Sequence, residues 1–182
     1  MEIVKINTAY KSIIKLFFAS FFLAIFAQIY IPLPFVPITG QTLSIILLSL
    51  LLGRKSIYAV LLYLAEGSLG LPFFTRWNGG LSVIMGPTGG YLIGFIFSSF
   101  IIGYFADKGH LNSSYKVFLA SCLGMIVIYS FGILRLSFFI PRENLLKVGL
   151  LPFIIGDMVK ILIATCLYNK YGAKIRNWYF NG

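Results

Sequence analysis

Pro152-Phe153-Ile154-Ile155-Gly156-Asp157-Met158-Val159-Lys160-Ile161-Leu162-Ile163-Ala164-Thr165-Cys166-Leu167-Tyr168-Asn169 decides what kind of protein this is. The stretch approaches the about 20 apolar residues that a helix needs to cross a bilayer, yet it carries two opposite charges. At about 1.5 Å per residue, Lys160 lies roughly 12 Å in from a helix start near Pro152. An ionisable group at such depth costs about 2.5–3.5 kcal/mol on insertion scales. The i,i+3 spacing places Asp157 and Lys160 on one helix face, where each offsets the other's desolvation and the pair presents one acceptor and one donor. An ion pair that only fixes helix register is the plainer reading, but charges inside a membrane mark function by default.

The rest of the chain has the same character. Of its 182 residues 59% are hydrophobic and 11% charged, and the mean hydropathy is +0.91, so polar surface is too scarce to cover a water-soluble globule. The expected fold is an all-α integral membrane protein, a bundle of six transmembrane helices with an outward-facing ligand pocket, in one domain over residues 1–182. The helices are predicted at Ser12–Ile31, Gly40–Leu52, Ser56–Leu71, Thr88–Ala106, Lys116–Ile140 and Pro152–Asn169. The basic start followed by an apolar run resembles a signal peptide, but Ile13–Ile31 is too long for its apolar region and reads as a retained first helix. Pro32, Pro34 and Pro37 force an extended segment after it, placed to cap a cavity. The second helix is short for a full crossing and must lean on its neighbours.

The net charge of +10 does not point to nucleic acid, because the fifteen Lys and Arg are scattered between apolar runs instead of gathered on one face. Topology explains them. With both termini cytoplasmic, Lys5, Lys11, Lys15, Arg54, Lys55, Lys108, Lys116, Lys170, Lys174 and Arg176 lie inside, against Arg76, Arg142 and Lys147 outside. Arg135, about five residues from the outer end of the fifth helix, reads as a snorkelling side chain outside the ligand site. Cys122 and Cys166 sit in apolar runs as small core residues, and His110 is a solvated loop residue. No phosphate-binding G-x-x-x-x-G-K-[ST] loop, H-E-x-x-H or G-x-S-x-G pattern occurs in the chain. It cannot hydrolyse ATP by the first route, and neither hydrolase motif supports an enzyme. Neither a cofactor nor a metal is expected.

Polar groups converge on the outer half of the bundle. Gly86-Pro87-Thr88-Gly89-Gly90-Tyr91 opens the fourth helix, with Thr88 as a possible cap and Tyr91 one turn in. Gln41, Glu66 and Asn78 share that side with Asp157 and Lys160, as in a small-molecule pocket with apolar walls and a few placed polar groups. Ser20 and Ala24, with Ala27 beyond, form a small-residue face suited equally to close packing within the chain and to docking a partner helix.

Ala27-Gln28-Ile29, Ile31-Pro32-Leu33-Pro34-Phe35-Val36-Pro37, Thr39-Gly40-Gln41-Thr42-Leu43, Glu66-Gly67-Ser68-Leu69-Gly70-Leu71-Pro72-Phe73, Gly86 to Gly94, and Pro152 to Asp157 with Lys160 occur in an order that resembles one family. This is BioY, the biotin-binding S components of energy-coupling-factor vitamin transporters, and the likeness runs over essentially the whole chain. It implies a six-helix subunit of the cytoplasmic membrane that takes biotin from outside, embedded in lipid and driven by a transmembrane coupling protein and two ATPase subunits. The resemblance carries the family's acidic and basic pair onto Asp157 and Lys160, and its polar positions onto Asn78 and Tyr91. Biotin's urea offers N–H donors to a carboxylate and a carbonyl to Lys160, Asn78 or Tyr91. For the biotin carboxylate, Arg76, Gln41 and backbone N–H groups near Gly89 are alternatives. The family's first-helix docking motif, alanines four apart, is represented here by Ser20 and Ala24 with Ala27 displaced by one residue. An S component for another vitamin, an intramembrane enzyme using Asp157, and an assembly protein are the competing readings.

Overall fold

The computed structural model describes the backbone of residues 2–181 and the side chains of residues 13–180, so the Lys5 and Lys11 side chains lie outside the described residues. Eight helices follow in order: α1 (Glu2–Ala27), α2 (Gln41–Leu52), α3 (Ser56–Ser68), α4 (Leu81–Met85), α5 (Gly89–Asp107), α6 (Ser114–Leu136), α7 (Leu145–Gly149) and α8 (Leu151–Asn181). Six of these, all but α4 and α7, have twelve residues or more and form the bundle. Four helical stretches are long and apolar enough to cross a membrane, Gln41–Ser68, Gly89–Asp107, Ser114–Leu136 and Arg142–Phe180, and Ile13–Ala27 is a shorter apolar helix. The chain is a multi-pass membrane protein.

The stretch 41–68 is a hairpin, not one rod. If it were straight, Gln41 and Tyr63 would stand about 33 Å apart, whereas Gln41 Nε2 donates to the Tyr63 hydroxyl at 2.6 Å. The reversal occurs at Gly53, in the left-handed region with φ 61°. A Cβ there would lie 1.8 Å from an Asp107 carboxylate oxygen. Asp107 receives Arg54 through the backbone N–H at 3.0 Å and Nε at 3.2 Å, and Arg176 of α8 at 3.4 Å. Arg176 also donates to the Leu50 carbonyl at 2.9 Å, and Lys15 to the Tyr179 carbonyl at 2.7 Å. One end of the bundle is thus basic and closed.

Several boundaries move for local reasons. The first helix stops at Ala27, four residues early, because Tyr30–Ile31 pair antiparallel with Ile38–Thr39 across the proline loop. The third stops at Ser68, where Gly70 turns with φ 102° ahead of Pro72. The fifth ends at Leu136, leaving room for α7, and the last continues to Asn181. At about 1.5 Å per residue its 31 residues run about 46 Å, past the roughly 30 Å hydrocarbon layer.

Close approach of α5 and α6 is built on glycines. A Cβ on Gly94 would fall 2.8 Å from Ile128 Cα, and one on Gly132 would fall 2.3 Å from the Tyr91 ring. Association of helices in lipid relies on such small-residue contacts. Gly94→Ala is therefore expected to destabilise the detergent-purified protein by about 1–3 kcal/mol. Gly156→Ala, whose added methyl meets nothing within 4 Å, is expected to leave stability equal or slightly higher. Paired thermal unfolding curves check both.

Candidate functional site

At the end opposite the basic network, a cavity of about 270 Å³ lies beneath the proline loop, near the lower end of the volumes of small-molecule sites. Its apolar walls come from Phe74, Leu92, Phe95, Ile128 and Phe153, with the Tyr91 ring among them. Residues 33–37 cover one side, and residues 74–78 and 82–88 the others.

Its charged centre is on α8. Phe153, Asp157 and Lys160 follow one another at i, i+4 and i+7 and share a face. Lys160 Nζ donates to Asp157 Oδ1 at 2.7 Å, the Thr42 hydroxyl at 3.0 Å and the Thr39 carbonyl at 2.6 Å. Thr42 in turn donates to Asp157 Oδ1 at 2.8 Å, and the Tyr129 hydroxyl of α6 donates to Oδ2. An ammonium has three donors and a carboxylate about four acceptor positions. The lysine is consequently saturated, while the aspartate, only 4% exposed, keeps room for one more hydrogen bond.

The remaining predicted residues separate into those that reach the cavity and those that support it. Arg76 and Asn78 are exposed on the lining. Arg76 is held in the left-handed region, φ 65°, with its guanidinium over the Tyr30 ring at 5.9 Å. The Asn78 side chain makes no hydrogen bond among the described residues. Tyr91 contributes its ring, but its hydroxyl donates to the Gly149 carbonyl at 2.8 Å. Gln41 is on the lining and also braces it from within. Its Nε2 goes to Tyr63, and its Oε1 accepts from Thr39 at 3.0 Å and Thr75 at 3.4 Å. Gly89 lies off the lining: its N–H donates to the Gly86 carbonyl at 3.2 Å, and it packs so tightly on the Ile84 carbonyl that a Cβ would lie 1.6 Å away. Glu66 also lies off it, in a separate crevice lined by Ile14, Phe17 and Ser20.

The docking face is corrected in the same way. Ser20, Ala24 and Ala27 are 1%, 5% and 0% exposed, because the small face of α1 is covered by the chain's own bundle. The outward side of α1 is large and apolar, with Phe17, Phe18 and Phe21 exposed. Conversely, the sequence gives no sign of Tyr129, since one hydroxyl in the run Ile126-Val127-Ile128-Tyr129 carries no periodic signal. Thr39 and Thr42 stood only within longer motifs.

A model of the BioY family matches residues 3–177. A biotin transporter BioY of Thermotoga maritima is 39% identical over 144 residues, 78% of this chain and 83% of that one. Biotin transporter BioY2 of Lactococcus lactis subsp. cremoris is 32% identical over 165 residues, 87% of this chain and 88% of that one. Among solved structures, the S-component for biotin from an ECF-type ABC transporter superposes with a TM-score of 0.80 at 31% identity, covering 97% of this chain and 94% of the other.

The Lys160 and Asp157 side chains are only 16% and 6% exposed, so removing one partner strands a charge in a largely enclosed site. Lys160→Met is expected to destabilise the ligand-free protein by about 3–5 kcal/mol, and adding Asp157→Leu to recover most of that. Unfolding of the two single variants and the double variant checks the cycle, and additive losses would contradict the coupling.

Proposed function

The chain belongs to the BioY family, and we propose that it is the substrate-binding subunit through which biotin enters the cell, in a transporter of the energy-coupling-factor type. The observation that carries this reading is the cluster of Asp157, Lys160, Thr42 and Tyr129 facing a cavity whose walls are otherwise apolar. Biotin has matching parts: a ureido ring with two N–H donors and a carbonyl, a thioether ring, and a valerate chain ending in a carboxylate.

The ureido ring sits on the aspartate. One N–H fills the acceptor position that Asp157 has left, and Asn78 pairs with the ureido carbonyl through its amide. Lys160 acts through Asp157, because all three of its donors are engaged within the protein. The thioether ring and the chain lie against Leu92, Phe95 and Phe153. Of the two cations on the lining, Arg76 is the one at the rim, and it receives the biotin carboxylate.

The basic end faces the cytoplasm, as the excess of Lys and Arg in cytoplasmic loops directs, so both termini lie inside and the cavity opens outward in the cell membrane. Transport against a gradient requires energy that this chain has no phosphate loop to extract. A transmembrane coupling protein and two ATPase subunits supply it, and the chain itself binds and carries without catalysing a reaction.

Biotin at 100 times its dissociation constant is expected to stabilise the purified protein by about 2.7 kcal/mol, with riboflavin and thiamine inert and the gain lost in Asp157→Asn. Stabilisation by either control in place of biotin would overturn the substrate. Arg76→Ala is expected to weaken biotin about tenfold or more while leaving the affinity for biotin amide unchanged. Equal losses for the two ligands would remove Arg76 from the carboxylate.

A further inference from the structure

Arg135 lies on α6, and the cavity lining does not include it. Its guanidinium spans two carbonyls of another element, donating from Nε to Gly86 at 3.4 Å and from Nη2 to Met85, with the Phe139 ring 5.3 Å away on a further side. Met85 and Gly86 end α4, a helix of five residues; the Met85 carbonyl has no partner within that helix, and the Gly86 carbonyl also accepts the Gly89 N–H at 3.2 Å. The segment pinned in this way, residues 82–88, supplies Ser82, Val83, Gly86, Pro87 and Thr88 to the cavity. Among the described residues, these are the only side-chain hydrogen bonds that join this segment to a helix beyond α5. The fit is close on the neighbouring turn as well, since a Cβ on Gly90 would fall 2.4 Å from the Arg135 Cβ.

We propose that Arg135 is a positioning residue for the binding site, holding the wall formed by residues 82–88 against α6 so that the bound ligand is released slowly. The inference rests on the biotin-binding reading and assigns a role within it. A side chain that merely snorkelled to the interface would direct its charge to water and headgroups, whereas here the planar fork reaches two adjacent carbonyls. A lysine offers a single point of charge and cannot span both in the same way. The same helix carries Tyr129, so α6 fixes the cavity at Asp157 through one side chain and at residues 85 and 86 through another.

The test compares wild type, Arg135→Lys and Arg135→Met in two measurements, the biotin dissociation rate and backbone hydrogen exchange without ligand. Arg135→Met is expected to release biotin about tenfold faster, with faster exchange confined to residues 81–88 and protection within α6 retained. Arg135→Lys is expected to recover part of both effects. Unchanged dissociation and exchange in Arg135→Met would overturn the proposal, as would loosening spread through α6 without any recovery by lysine. If wild type itself bound no biotin, the substrate reading would fail, while the exchange measurement would still decide whether Arg135 holds the wall.

Discussion

The ion pair of buried Asp157 and half-buried Lys160 is the constraint on which the rest of the structure depends. A charge without a partner at that depth is costly, and two charges offset each other only when their remaining hydrogen-bonding positions are also filled. Here each filled position belongs to a different element: Thr42 to α2, Tyr129 to α6, and the Thr39 carbonyl to the short strand that closes the proline loop. Satisfying two charges on α8 therefore fixes the relative positions of three other parts of the chain. The contacts that stabilise the fold at this end are the contacts that shape the cavity.

Two further devices let so small a bundle enclose a ligand. Helices α2 and α3 have 12 and 13 residues, about 18–20 Å each, too short to cross alone. Their far ends are completed by loops that are themselves packed. Phe74 is 1% exposed and sits edge-on to Tyr63 at 5.5 Å, and Gln28 bonds the Phe74 carbonyl at 3.0 Å and the Trp77 N–H at 3.0 Å. Irregular backbone at membrane depth is tolerated where protein surrounds it or where it lines a cavity. Between residues 70 and 88, Phe74 is buried and the stretches 74–76 and 86–88 line the cavity.

Composition and the spacing of apolar runs were enough to read six helices and their order, because insertion in lipid imposes length and hydrophobicity on each segment. The pair at Asp157 and Lys160 was legible for a related reason: charges are rare in such segments. What could not be read depends on three-dimensional pairing. Gln41 and Asn78 look alike as isolated polar residues, yet one is tied to Tyr63, Thr39 and Thr75 and the other is open on the rim. Ser20, Ala24 and Ala27 signal a close helix approach without revealing that the partner is the chain's own bundle. Arg135 was read from depth alone, and the carbonyls that bind it lie about 50 residues away in sequence.

Under the proposed function, the occupancy of the polar cluster also bears on the direction in which the ligand enters. Lys160 has no free donor, so the deep end of the cavity presents an acceptor, and an anion placed there would face the Asp157 carboxylate. A neutral group with N–H donors is suited to that position. The second cation on the lining, Arg76, is held at the rim by a backbone conformation unusual for a non-glycine residue, where an anionic tail can be bound without being carried into the low-dielectric floor. On the proposed reading, a ureido head would go to Asp157 and a carboxylate tail to Arg76. The apolar walls between the two ends then fix the length and shape of the linker that fits.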